Sequence, residues 1–206
     1  MLNPPSPNTN KATIYLIDDD ENVRWSLRLA LERMNYQTKI FSSPEKFLHQ
    51  AHEIQSPGVI LLDMQMPEMS GVDVQNQLIK LGVKTPIIFI SGQSRPQQII
   101  DGMRNGAYQF LLKPFELLEL KVFIEKTLED DDKDRHLIAR FHTLTPKEKE
   151  TFQELADGKL IKHIALDRNV SESVIKPHKA RAMEKLGIKT LQALTSTHRK
   201  LQQLLK

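Results

Sequence analysis

Along residues 12–128, short and almost continuous apolar runs alternate with segments whose apolar residues recur every three or four positions. The runs "TIYLI", "QTKIF", "GVILLD", "PIIFIS" and "QFLLK" predict strands. Val23 to Met34, Pro44 to His52, Val72 to Leu81, Pro96 to Asn105 and Glu116 to Leu128 predict the helices between and after them. Strands such as "GVILL" and "PIIFI" are apolar on both faces, the habit of a parallel sheet covered by helices on each side. Strict alternation of five strands with five helices predicts an open, doubly wound α/β domain with a five-stranded parallel sheet of flavodoxin-like order.

From residue 143 the strand pattern disappears. "LTPKEKETFQELADG" has Thr145 as a cap, Pro146 at the first helical position, Glu148 completing a capping box and Gly158 as a stop. "IKHIALDRN" predicts a short second helix, "VSESVIKPHKARAMEKLG" a third capped by Ser171, and "TLQALTSTHRKLQQLLK" a fourth. A short helix, a tight turn and a basic helix make a helix-turn-helix, so 143–206 is read as an all-α, four-helix domain. Residues 1–11, rich in Pro and Asn, are read as a disordered lead, and 129–142, "EDDDKDRHLIARFH", as a charged linker between the two domains.

Charge sharpens that division. The chain of 206 residues is nearly balanced, with a formal net charge of +3, but residues 143–206 hold thirteen Lys and Arg against seven Asp and Glu. A basic C-terminal module is a candidate for contact with double-stranded DNA. No stretch approaches the roughly 18 apolar residues of a membrane span, and the start "MLNPPSPNTNK" lacks the apolar centre of a signal peptide. A cytoplasmic protein with no membrane partner is expected. The absence of cysteine removes disulfides, thiolate metal sites and a cysteine nucleophile, which leaves oxygen and imidazole as the only metal donors.

In doubly wound sheets the ligand sits beyond the carboxyl ends of the strands. Here strand one ends in Asp18 and Asp19, strand three in Asp63, strand four in Ser91 and strand five in Lys113. Three clustered carboxylates repel one another unless a cation joins them, and an all-oxygen set with open positions suits Mg²⁺, or Mn²⁺ in its place. Asp20 and Glu21 are better placed as acids at the N-terminus of the following helix, where its dipole favours them.

This constellation, with "LLDMQMPEMSG" around Asp63 and "FLLKPF" around Lys113, resembles the receiver domains of two-component response regulators. The resemblance implies that Asp63 accepts a phosphoryl group from a histidine kinase. It also implies that the Gln65 backbone carbonyl joins Asp18, Asp19 and Asp63 around the metal. In the same pattern Ser91 and Lys113 bind the phosphoryl oxygens, Lys113-Pro114 is a cis peptide, and Phe110 is the switch aromatic. Gln65 and Gln93 fall where the family tunes attack of water on the phosphoryl group.

The C-terminal stretches "LTPKEKE", "IKHIA" and "SVIKPHKARAMEKLG" resemble LuxR-type DNA-binding domains, so the whole chain looks like a transcription factor of the FixJ/NarL type. Ile175, Ala182 and Leu186 share one apolar side of the third helix, which leaves Ser173, Lys176, Pro177 and Ala180 to face the major groove. Lys162, Lys179 and Arg181 are placed for phosphate contacts. Pro177 falls six positions after Ser171, where an interior proline is costly, and predicts a late or distorted start of that helix. Homodimerisation on phosphorylation and contact with RNA polymerase are the further partners expected of such a regulator, with no enzymatic role. Two other classes fit parts of the chain: a metal-dependent phosphohydrolase of haloacid-dehalogenase type built on Asp18 and Asp20, and a receiver that acts as an interaction module without DNA.

Overall fold

The structure, a computed structural model, describes residues 12–92 and 96–205, and the chain divides into two compact units, 1–132 and 133–206. The expectation of a disordered lead over 1–11 lies outside the described residues, as does Gln93.

In the first unit the strands are β1 (Thr13–Ile17), β2 (Gln37–Phe41), β3 (Gly58–Asp63), β4 (Ile87–Ser91) and β5 (Gln109–Leu112). All pair in parallel, in the order β2-β1-β3-β4-β5. The helices of this unit are α1 (Glu21–Arg33), α2 (Pro44–His49), α3 (Gly71–Lys80), α4 (Pro96–Arg104) and the first part of α5 (Leu117–His142).

Side-chain alternation sorts the central strands into two cores. Ile14, Leu16, Val59, Leu61, Ile88 and Ile90 pack with Leu27 and Leu31 of α1 and with Leu120 and Ile124 of α5. Tyr15, Ile17, Ile60, Leu62, Ile87 and Phe89 point the other way, against Phe47 of α2 and Val74 and Leu78 of α3. Buried phenols need a partner, and Tyr15 has one, its hydroxyl accepting the Gln55 N–H at 2.8 Å. The predicted elements agree closely with these. The exception at α2 is small: its helix ends at His49 and a 3₁₀ turn, Ala51–Glu53, follows.

Residues 129–142 depart from the sequence reading, because α5 does not stop at Leu128 but continues to His142. The acidic run read as a linker contains no Gly or Pro to break a helix. Leu137 and Phe141, one turn apart, find a core to pack against in the second unit.

That unit holds the end of α5, then α6 (Pro146–Ala156), α7 (Ile161–Asp167), α8 (Glu172–Leu186) and α9 (Leu191–Leu204). Phe152, Ile164, Ile175, Ala182, Leu186 and Leu194 form its core. The capping box at the start of α6 is complete, with Thr145 Oγ1 accepting the Glu148 N–H and the Glu148 carboxylate accepting the Thr145 N–H. The late start expected for the third helix of this domain is not what the chain does. Its α8 begins at Glu172 with Pro177 inside it, so Lys176 is a helical residue and not a loop residue.

Candidate functional site

At the carboxyl end of the sheet, β1 delivers Asp18 and β3 delivers Asp63 side by side, both almost wholly buried. The neighbouring strand ends are tied to them by main-chain bonds: Met64 N–H donates to the Ile90 carbonyl at 3.0 Å, and Lys113 N–H to the Ser91 carbonyl at 2.7 Å. Ser91 is fully buried at that seam. The Lys113-Pro114 peptide is cis. The Lys113 ammonium reaches both acids, at 2.8 Å from Asp18 Oδ2 and 2.9 Å from Asp63 Oδ1.

The second oxygens are also engaged. Asp18 Oδ1 accepts the Asp20 N–H at 2.9 Å, and Asp63 Oδ2 accepts the Gln65 N–H at 2.7 Å. Gly71 closes the loop that returns from Asp63, donating its N–H to the Met64 carbonyl at 3.0 Å. A Cβ there would stand 2.6 Å from the Asp63 carbonyl oxygen, so only glycine fits.

Electrostatics follow from this geometry. Burial pushes the Asp63 carboxyl above its ordinary value, and the Lys113 hydrogen bond and charge reverse only part of that rise. Burial alone would lower the Lys113 ammonium, but its bonds to Asp18 and Asp63 together hold it above its ordinary value.

Of the three carboxylates expected to converge, the structure gathers two. Asp19 is exposed, and among the described residues no group of three or more His, Cys, Asp or Glu stands close enough to hold a metal ion. The split falls where the strand ends: Asp18 directly follows β1 and is buried, whereas Asp19 sits at the bend after it and is exposed. The donors that are gathered still suit a hard divalent ion. They are anionic oxygens, held at one point on two adjacent strands, with Asp19 open to solvent beside them.

The pairing of Asp18 with Asp20 that a phosphohydrolase would need is not formed, since Asp20 Oδ1 caps α1 by accepting the N–H groups of Asn22 and Val23. Phe110 lies half-buried on β5, beside Phe89 in register. Arg24 was not foreseen. From the first turns of α1 its Nη1 donates to the Asp18 carbonyl at 2.7 Å.

In the second unit Ile175, Ala182 and Leu186 are buried, while Ser173, Lys176, Pro177 and Ala180 are exposed on the other side of α8, as predicted. Lys176 lies 3.2 Å from Glu172 one turn before it. Other basic residues serve the fold: Arg168 pairs with Glu154, Lys159 with Glu154 and Asp167, and Lys185 with Glu148. Lys162, Lys179 and Arg181 have no carboxylate partner among the described residues, and Lys162 and Arg181 are exposed. His198 is largely buried, its ring edge-on against Phe152.

A flavodoxin-like receiver with paired strand-end acids and a bridging lysine, in one chain with a helix-turn-helix unit, defines a DNA-binding response regulator. Residues 14–125 match the response regulator receiver domain, and 142–197 match the bacterial regulatory proteins of the luxR family. The chain belongs to the response regulators with a receiver and a LuxR-type DNA-binding domain, a family of transcriptional regulators.

It is 32% identical over 206 residues to the response regulator protein TmoT of Ectopseudomonas mendocina, with 97% of this chain and 93% of the relative covered. It is also 32% identical to the transcriptional regulatory protein FixJ of Rhizobium meliloti, covering 87% of this chain and 91% of that protein. Among solved structures, the response regulator StyR is 31% identical with a TM-score of 0.54, covering 92% of this chain and 99% of the other. Full-length FixJ from B. japonicum is 25% identical with a TM-score of 0.56, covering 93% and 97%.

Proposed function

We propose that Asp63 is the phosphoacceptor of this regulator, modified by a histidine kinase, and that its modification controls dimerisation and binding to double-stranded DNA. The observation that carries the reading is the single ammonium of Lys113 shared between the Asp18 and Asp63 carboxylates. An oxygen of Asp63 attacks phosphorus in line. The bond from phosphorus to the donor's imidazole nitrogen breaks, its electron pair stays on that nitrogen, and an acyl phosphate forms on Asp63. The residues around it do little covalent work. Lys113 neutralises charge on the phosphoryl oxygens, and Ser91 offers a hydroxyl from the end of β4.

Asp18 and Asp63, completed by Asp19 and the Gln65 carbonyl, would hold Mg²⁺ or Mn²⁺. When bound, that ion supplies positive charge where the two acids otherwise repel an anionic donor. Change at Asp63 is passed through Ser91 and Phe110 to the surface of α4 and β5, where Ile100 and Met103 are exposed apolar side chains suited to a second copy of the chain. The α8 face with Ser173, Lys176, Pro177 and Ala180 enters the major groove, Lys162, Lys179 and Arg181 meet phosphates, and RNA polymerase is a further partner on the DNA. No helix among the described residues is long and apolar enough to cross a membrane, and the reading places the protein in the cytoplasm.

The test is incubation with a radiolabelled small acyl phosphate, with and without Mg²⁺, followed by sedimentation. The wild type should take up label only with the metal and then sediment as a dimer, and Asp63→Asn should do neither. Label retained in Asp63→Asn, or in chelator, overturns the assignment.

A further inference from the structure

Arg24 stands where elementary electrostatics disfavours it. It is the fourth residue of α1, and its side chain turns back over the N-terminus of its own helix, the positive end of the helix dipole. A cation placed there needs compensation. The structure supplies it through the 2.7 Å bond from Nη1 to the Asp18 carbonyl, in the turn that also carries the acids Asp18, Asp19 and Asp20.

At its start the turn is held by β2 and β5, the Asp18 N–H donating to the Phe41 carbonyl at 3.3 Å and Lys113 Nζ to Asp18 Oδ2 at 2.8 Å, and the rest of it is held from within. The Asp20 N–H donates to Asp18 Oδ1 at 2.9 Å, Asp20 Oδ1 accepts from Asn22 and Val23, and the Arg24 N–H donates to the Asp20 carbonyl at 3.0 Å. These last bonds belong to the turn and the start of α1. Among the described residues, the Arg24 guanidinium is the side chain that fastens the Asp18 carbonyl, one residue before Asp19. Its fixed charge also offsets the mutual repulsion of the neighbouring acids.

We infer that Arg24 is a positioning residue for the acid pocket. By fastening the Asp18 carbonyl it fixes the turn that aims the Asp18 carboxylate at Lys113 and Asp63 and keeps Asp19 at the mouth, and so sets the affinity of the pocket for a divalent ion. The inference rests on the metal-dependent phosphoacceptor reading given above.

The experiment is a Mn²⁺ titration of the full chain, with free ion counted by electron paramagnetic resonance, on wild type, Arg24→Met and Arg24→Lys. Labelling of Asp63 at rising Mg²⁺ and thermal unfolding are measured on the same samples. Loss of an outer contact of this kind weakens metal binding by about tenfold at the lower end, and that shift is expected for Arg24→Met. Labelling at saturating Mg²⁺ should stay within about twofold of wild type, because the reacting groups are untouched. Arg24→Lys, which keeps the charge and one donor, should recover most of the affinity. Unchanged Mn²⁺ affinity in Arg24→Met overturns the inference. So does a Lys variant as weak as the Met variant with an equal fall in melting temperature, because the residue would then only hold the fold. A wild type that binds no Mn²⁺ and takes no label overturns the phosphoacceptor reading itself, and the role of Arg24 with it.

Discussion

Replacing Glu148 with Gln probes a single charge interaction while leaving the volume of the site almost unchanged. The Glu148 side chain is 3% exposed, its Oε2 accepting the Thr145 N–H at 2.9 Å and the Lys185 ammonium at 2.6 Å. Lys185, 35% exposed, also donates to the Thr143 carbonyl at 3.1 Å. Surface ion pairs contribute about 0–1 kcal/mol, and breaking a buried pair costs about 3–5 kcal/mol. One buried and one third-exposed partner place this pair between those limits, at about 2 kcal/mol. The Gln carbonyl still accepts from Thr145, whereas Glu148→Ala also loses the capping box and about 1 kcal/mol more. In a unit of this size about 2 kcal/mol corresponds to roughly 8–16 °C in melting temperature.

The pH dependence has a defined sign. The hydrogen bond from Lys185, followed by that from the Thr145 N–H, holds the Glu148 carboxyl below its ordinary value. Stability from a group with a depressed folded pKa is complete above the unfolded value and is lost as the pH falls through the folded value. The gap between wild type and Glu148→Gln should therefore be full at neutral pH and should close in acid, below the usual carboxylate range. Calorimetric unfolding of residues 133–206, alone and within the full chain, measures it. A gap under about 0.5 kcal/mol at neutral pH, or one unchanged in acid, refutes the reasoning.

Two further outcomes follow from local geometry. Pro177→Ala should restore a donor for the Ser173 carbonyl and relieve its contact with the proline ring, stabilising the second unit by up to about 3 kcal/mol; slower amide exchange along α8 checks this, and faster exchange contradicts it. Gly102→Ala would place a Cβ 2.6 Å from Cε2 of Phe89, a side chain 1% exposed on β4, so denaturant unfolding of the first unit should show a loss of about 1–3 kcal/mol; an unchanged midpoint would mean that α4 moves away at no cost.

The sheet was readable because its central strands are apolar on both faces, and that property is written into runs such as "GVILL". The same runs hide which residue joins which core. Only the pleat separates Leu61, packed toward α1 and α5, from Leu62, packed toward α2 and α3. The acid pocket was readable because topology brings strand ends together, so Asp18, Asp63 and Lys113 could be placed in one crevice before any distance was known. Asp19, expected in the same crevice, is exposed at the bend that follows β1, and adjacency along the chain does not reveal where that bend falls. Arg24 left no periodic or motif signal, since its partner is a main-chain carbonyl behind its own helix. The helix through 129–142 was obscured by its acids, which resemble a solvated connector. What decided it was the absence of a breaker and the two apolar residues near its end.

Pro177 shows tertiary packing overriding a local preference. A proline inside a helix costs about 3 kcal/mol, which is why a late start looked favourable from the sequence. A late start, however, would take Ile175 out of the helix, and Ile175 is wholly buried in the core of the second unit, on the same side as Ala182 and Leu186. Burying such a side chain contributes about 1.5–3 kcal/mol, enough to offset most of that cost. The cost is itself reduced because Ser173 and Pro177 are exposed, so water can reach the carbonyl that lacks a helical donor. The helix therefore runs from Glu172, and the exposed face keeps Lys176 in line with Ser173, Pro177 and Ala180. That face is poor in donors for base edges. Pro177 and Ala180 have none, Ser173 shares its hydroxyl with Ser171 at 2.6 Å, and the Lys176 ammonium sits beside Glu172. On the proposed reading, in which this face meets DNA, affinity rests mainly on Lys162, Lys179 and Arg181 at phosphates, so binding measured at rising salt should weaken steeply, and binding indifferent to salt would contradict that reading.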